Sequence, residues 1–344
     1  VTGPTCRIVS SDYLDRDVYL NIRCFYASAG YRLIGPEHAA VDLLVVLRGD
    51  NGTADQSFAA AIHIYDYVKE YQVDWARRYP AARSIVLVSL DDPPPPSADP
   101  PSADPRLRHV RAYLPVIPGL WTCRSGPRRS RPVHVSNYKR MPGDPFQEEL
   151  LALIQAGRVE VHGNRWEQVG VRARPLSYRR ANRLIAGSAS CFGLMWPYQR
   201  GVTLSGRMWQ APLNGCFVLS EPGTDRLGCP GVLERPHFDL TSASLRFGPE
   251  RCDALAREAA AFWEAHTRRL GVALGFSDAI NLGGVRVWRL RWVLWLWELE
   301  FQAEQLRGWL ERGLAALRRR LARAARALHL HPRQLRGQGR RPHQ

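Results

Sequence analysis

With 344 residues, 45% of them apolar and 23% charged, the chain has material for two domains with cores of their own and is too apolar for a disordered polypeptide. Its net charge of +16 is unevenly placed: residues 286–344 hold fourteen arginines and no lysine against four glutamates, a balance of +10. Seven scattered cysteines, mostly in apolar runs, form no CxxC or Cys/His cluster, so neither a zinc site nor a disulfide framework is expected.

The first ninety residues alternate in the manner of an α/β domain. Residues 6–10 (CRIVS) are strand-like, and 17–29 are predicted as a helix after an acidic start. Residues 31–34 and 41–47 read as two more strands, the second a continuous apolar run suited to a buried parallel position. Phe58, Ile62, Tyr65 and Lys69 recur at helical spacing and predict a second helix over 55–70, followed by a buried strand over 84–90. Residues 91–105 (DDPPPPSADPPSADP) lack backbone donors at every proline and read as a long surface insertion. Residues 106–131 are expected to be irregular.

A second alternating block follows, with a strand at 133–135, a helix at 144–156, a strand at 158–162, a helix at 177–186 and a strand at 190–196. Residues 200–222 (RGVTLSGRMWQAPLNGCFVLSEP) then place a Gly- and hydroxyl-bearing loop, a short helix bent by Pro212 and a buried strand in succession. Residues 250–269 form a long helix. The expected fold class is α/β, with two Rossmann-like parallel-sheet domains facing a cleft: an N-terminal domain over 1–125 and a C-terminal domain over 126–275. Basic amphipathic helices over 286–330 and a disordered tail over 331–344 complete the layout.

Loop, helix N-terminus and helix-to-strand turn together suit a diphosphate, because free N–H groups face the anion and an arginine can close over it. Ser205, Gly206 and Arg207 occupy those positions; the bland alternative is an ordinary crossover whose glycines only make turns. Lys139, one of two lysines in the chain, follows a strand and is a candidate second cation. Asp12 and Asp50 follow strands at their C-terminal ends, where a general base belongs, although turn formation explains Asp50-Asn51-Gly52 equally well. His63 and His134 lie beside apolar runs and read as packed histidines. No metal cage is evident.

Residues 134–166 (HVSNYKRMPGDPFQEELLALIQAGRVEVHGNRW) resemble the strand–helix–strand that opens the nucleotide-sugar domain of fucosyltransferase-like enzymes. SGRMWQAPLNGCFVLSEPG (205–223) is similar to the R-aromatic-E-A-x-x-x-G helix of group-1 and spore-maturation-type glycosyltransferases of the GT-B superfamily. The resemblance implies a metal-free, nucleotide-sugar-dependent transferase of hexosyl or fucosyl type, with no bound cofactor beyond the donor. It implies that Arg207 and Lys139 pair with the diphosphate and that Gln210 stands where relatives carry a ribose-binding glutamate. Glu221 is then a candidate to take over the ribose contact.

The tail is separate. Tryptophans from Trp288 to Trp297 are followed by Leu306, Leu310, Leu314, Leu317, Leu321 and Leu328, with arginines between them. Such a basic amphipathic helix suits an anionic membrane surface, and the alternative is a helix docked on the body. The expected function is transfer of a sugar to a glycan or lipid-linked acceptor in glycan biosynthesis. A non-catalytic nucleotide-sugar or glycan binder of the same fold is the alternative, and a nucleic-acid binder stands third, since no DNA- or RNA-reading motif accompanies the basic tail. Lacking a membrane-spanning run or a secretory leader pattern, the chain is expected in the cytoplasm, peripheral at the inner face of the membrane.

Overall fold

The computed structural model describes residues 3–10, 16–35, 38, 40–47, 59–65, 79–90, 104–122, 128–201, 204–238, 247–276, 280 and 282, and twelve tail residues between 292 and 318. The chain divides into two compact units, Val1–Arg291 and Trp292–Gln344. Asp12, Asp50, Thr203, Cys123, residues 91–103 and the last 26 residues lie outside the described residues.

The first half builds a six-stranded sheet from β1 (Thr5–Ser10), β2 (Arg32–Leu33), β3 (Val41–Leu47), β4 (Ala59–Tyr65), β5 (Ser84–Ser89) and β6 (Leu107–Arg111), with α1 (Arg16–Ser28) between β1 and β2. The order is β2-β1-β3-β4-β5-β6, and every pairing is parallel. Central strands of such a sheet are covered on both faces, hence the unbroken buried runs of β3 and β5. Leu44, Val46, Ile62, Ile64, Tyr79, Ile85 and Leu87 form one core cluster beneath them.

Two expectations are corrected here. Residues 59–65 are a strand and not part of a helix over 55–70. Ile62, His63, Ile64 and Tyr65 are all buried in succession, which a half-buried helix cannot achieve but a central strand requires. The i, i+4 spacing of Phe58 and Ile62 is incidental to that run. Residues 107–111, expected to be irregular, form β6 at the sheet edge, where alternating Arg108, Val110 and Arg111 point out, in and out.

His63 is a packed histidine. Its Nδ1 lies 2.7 Å from the Tyr26 hydroxyl, which also meets the Tyr65 hydroxyl at 2.9 Å. Burial, with the Arg108 charge adding, pushes its pKa down to about 4.

The second half builds a five-stranded sheet from β7 (Val133–Val135), β8 (Glu160–His162), β9 (Ser190–Phe192), β10 (Phe217–Ser220) and β11 (Val232–Glu234), in the order β11-β10-β9-β7-β8 and again all parallel. Short α2 (Pro118–Trp121) precedes it, and α3 (Pro145–Gln155), α4 (Tyr178–Ala186) and α5 (Arg207–Gln210) connect its strands. Sequence capping is explicit: Asp144 accepts from Phe146 N and Gln147 N, and Ser177 from Arg180 N. The predicted strand 190–196 ends at Phe192, and β11 is an additional edge strand. Pro212 does not bend a longer helix; α5 is one turn, and Pro212 opens a separate 3-10 turn over Pro212–Asn214.

Helix α6 (Pro249–Ala273) leaves the second sheet and packs back on the first half. Thr267 Oγ1 exchanges hydrogen bonds with the backbone of Val116 at 2.8 and 3.0 Å. Just past the helix, Phe276 meets the rings of Phe25, Tyr26 and Tyr31. Residues 113–121 are a seam between the halves. Asn21 of α1 accepts from Ile117 N and Trp121 Nε1, both at 2.9 Å, while the Trp121 carbonyl accepts from Asn214 Nδ2 at 3.0 Å.

Candidate functional site

In the second sheet, strand order reverses between β7 and β9, and the segments leaving these two strands diverge to opposite faces. Open parallel sheets bind ligands in the crevice outside the C-terminal ends of such strands. A crevice enclosing ≈ 420 Å³ of empty space lies there, walled by 136–139 after β7, 194–196 after β9, Gln147 and Leu150 of α3, and Trp166. Tyr138, Trp166 and Trp196 give it three aromatic walls, which suit a flat ring.

The walls are held from behind. Trp166 donates Nε1–H to the Ser136 carbonyl at 2.7 Å, and Asn137 Oδ1 accepts from Asn164 N at 2.9 Å. Gly163 makes this approach feasible: at φ +145° a Cβ there would stand 2.0 Å from Ser136 O. The opposite wall hangs on Glu221. Its Oε1 accepts from Met195 N and from Arg200 Nε, both at 2.8 Å, and Arg200 reaches on to Asp144, the cap of α3. Three segments 77 residues apart in sequence are thereby tied into one rigid rim.

Glu221 is fully buried in this network, and its other oxygen meets Ser220 Oγ at 3.2 Å. The expected ribose contact is corrected on that ground, because a carboxylate enclosed behind the rim and committed to Arg200 is a positioning group. Gln210 is also engaged elsewhere. Its Nε2 donates to Asp17 Oδ2 at 2.6 Å and to the Tyr178 hydroxyl, linking α5 and α4 to the first turn of α1. Asp17 was not singled out in the sequence; its only local signal is an acidic residue in the first helical turn. Gly206 abuts the same carboxylate, since a Cβ there would be 2.9 Å from Asp17 Oδ2. Glutamine at 210 thus has a local cause: glutamate would set a second carboxylate against Asp17. Gln210→Glu is expected to remove a charge-assisted bond worth about 1.5–3 kcal/mol. The loss should be larger at pH 8 than at pH 5, where two facing carboxylates can share a proton. Melting curves at both pH values check this, and equal stability of variant and wild type at pH 8 would refute it.

Arg207 and Lys139 converge on one place. His134, buried on β7 and lining the crevice, has its pKa pushed down to about 3, first by burial and then by the Arg207 charge, with Lys139 adding. Both predicted cations therefore act on the crevice floor, where the neutral imidazole stays uncharged throughout the physiological range. Lys139 is exposed, with Nζ 5.7 Å from the centre of the Trp196 ring. Arg207 is half-buried at the start of α5, and Ser205 Oγ accepts from its backbone N at 3.4 Å. A one-turn helix has little dipole to offer an anion, so the side-chain cations carry the site's positive field. Among the described residues no group of three or more His, Cys, Asp or Glu could hold a metal ion.

No family model matches the chain, and no curated protein matches it by sequence. Solved structures do match. The DNA-modifying enzyme β-glucosyltransferase, studied with and without uridine diphosphoglucose, is 10% identical over 80% of this chain and 99% of its own, with a TM-score of 0.50. An α-glucosyltransferase in complex with UDP-glucose and DNA containing an abasic site is 10% identical over 76% of this chain and 95% of its own, also at 0.50. AviGT4, a glycosyltransferase involved in avilamycin A biosynthesis, is 14% identical over 83% and 97%, at 0.40. With two parallel Rossmann-like sheets in series and a last helix returning to the first, the chain has the GT-B fold of these glycosyltransferases.

Proposed function

We propose that the chain is a glycosyltransferase that moves a sugar from a nucleotide-sugar donor to a glycan or lipid-linked acceptor without a metal ion. The observation that carries this is the crevice at the strand-order reversal of the second sheet, aromatic on its walls and flanked by Lys139 and Arg207. The nucleoside ring stacks among Tyr138, Trp166 and Trp196, and the two cations receive the diphosphate, where negative charge grows as the anomeric C–O bond breaks. Ser205 and Gly206 form the backbone rim of that anion site.

Chemistry needs a base on the acceptor side. Asp12 follows β1 and Asp50 follows β3, the two strands that flank the order reversal of the first sheet. Either can take the acceptor hydroxyl proton as its oxygen attacks the anomeric carbon and the nucleoside diphosphate leaves. On this proposal residues 1–125 bind the acceptor and 126–275 the donor.

A second reading, DNA as acceptor, is favoured by one observation: both neighbours at TM-score 0.50 are described with DNA, and this chain carries +16. A thermal-shift panel of UDP, GDP, ADP, CDP and dTDP tests the donor site. One nucleoside diphosphate at about 100 times its dissociation constant is expected to stabilise the protein by about 2.7 kcal/mol, a rise of several degrees. A flat response to the whole panel and to the matching nucleotide sugars would sink the proposal. Sugar release from the responsive donor then separates an enzyme from a binder, and duplex DNA against lipid-linked glycan as acceptor separates the two readings.

A further inference from the structure

The tail unit presents an apolar face that no part of the donor site explains. Trp292, Trp295, Leu296, Leu299, Leu306, Leu310 and Leu314 are all helical and 41–59% exposed. Only one other described large apolar residue, Val272, is comparably exposed. At 100° per residue, all seven fall within an arc of about 100°, a stripe roughly 33 Å long at 1.5 Å per residue. Arg307 and Arg318, also helical and exposed, lie on one flank of that arc. A contiguous exposed apolar stripe of this size marks a surface awaiting a partner.

Charge selects the partner. Residues 286–344 carry +10 and residues 1–285 the remaining +6, so both a second tail and the chain's own body repel it at its flanks. A nucleic acid would satisfy the arginines and leave two tryptophans and five leucines in water. Only an anionic lipid surface meets both, taking the stripe into the acyl boundary and the guanidinium groups at the headgroups. No helix among the described residues is long and apolar enough to cross a membrane, which leaves binding in the interface plane.

We propose that residues 292–318 form a surface anchor for anionic bilayers, lying flat with the Trp292–Leu314 stripe facing the lipid. The anchor goes beyond the donor chemistry and stands or falls without it. The test uses the full chain and vesicles of phosphatidylcholine with or without 30% phosphatidylglycerol. Co-sedimentation should be at least tenfold stronger with the anionic lipid, weaken at 0.5 M salt without vanishing, and shift tryptophan emission to the blue. A Trp292→Ser, Trp295→Ser, Leu299→Ser, Leu306→Ser variant should lose vesicle binding while keeping the wild-type melting temperature of the body. Equal binding by this variant, equal binding to both vesicle types, or a stable dimer by light scattering that ignores vesicles would each overturn the anchor.

Discussion

Arg207→Ala is expected to weaken nucleoside diphosphate binding at least tenfold, in line with the 1.5–3 kcal/mol or so that a hydrogen bond to a charged group contributes. Turnover should suffer more, by about a hundredfold, because the charge on the departing diphosphate is greatest in the transition state and an interaction made chiefly there is lost from kcat. The side chain is half-buried at the start of α5, and its charge is felt by His134 on the crevice floor, so it acts at short range across low-dielectric surroundings. Arg207→Lys restores the charge but not the planar fork and should recover only part of both quantities. Isothermal titration with the responsive nucleotide, alongside steady-state rates, gives the two numbers separately. A folded Arg207→Ala protein with wild-type affinity and rate would remove this arginine from the site.

Most strands were legible because parallel sheets leave a simple trace: apolar runs of four to seven residues between helical patterns. β3, β5 and β10 are of this kind. β4 was misread because AAAIHIY is flanked by residues that happen to recur at three and four, and a window that short cannot separate the two periods. The cations were legible too, since Lys139 and Arg207 sit just past or between strands, where any α/β fold gathers its loops. The crevice itself was not. Its walls come from 136–139, 166 and 194–196, and nothing local says that Trp166 folds back beneath Ser136.

The roles of Gln210 and Glu221 were hidden for the same physical reason. Gln210 finds its partner Asp17 across 193 positions, in the other half of the molecule. A substitution that looks like a lost ribose contact against relatives is, in this chain, a fitted contact between halves. The donor helix is therefore attached to the first turn of α1, the element that follows β1 and the loop bearing Asp12. Any shift of the first half toward or away from the crevice is transmitted to Arg207 through that one amide. Burial of Glu221 had a usable signal after all: Asp144-Pro145 announces a cap, and an arginine beside a second acid elsewhere in the block can bridge them.

That bridge sets the second large effect. Glu221→Ala should lower the unfolding free energy by about 3–5 kcal/mol, the cost of removing one partner from a buried ion pair. The glutamate is 0% exposed, and its loss strips Met195 N and Arg200 Nε of their acceptor at once. Arg200 keeps Asp144, so the charge is not wholly orphaned, but it is then drawn toward α3 and away from the 194–196 wall. Stability and donor binding should consequently fall together, unlike in Arg207→Ala, where only binding and rate change. Glu221→Gln retains an acceptor for Met195 N and should cost roughly half as much. Urea titration measures this as a lower midpoint at unchanged slope. A Glu221→Ala midpoint within 1 kcal/mol of wild type would mean that the rim stands without the carboxylate, and that Lys139 and Trp196 owe their placement to the Gln147 contacts of the other wall alone.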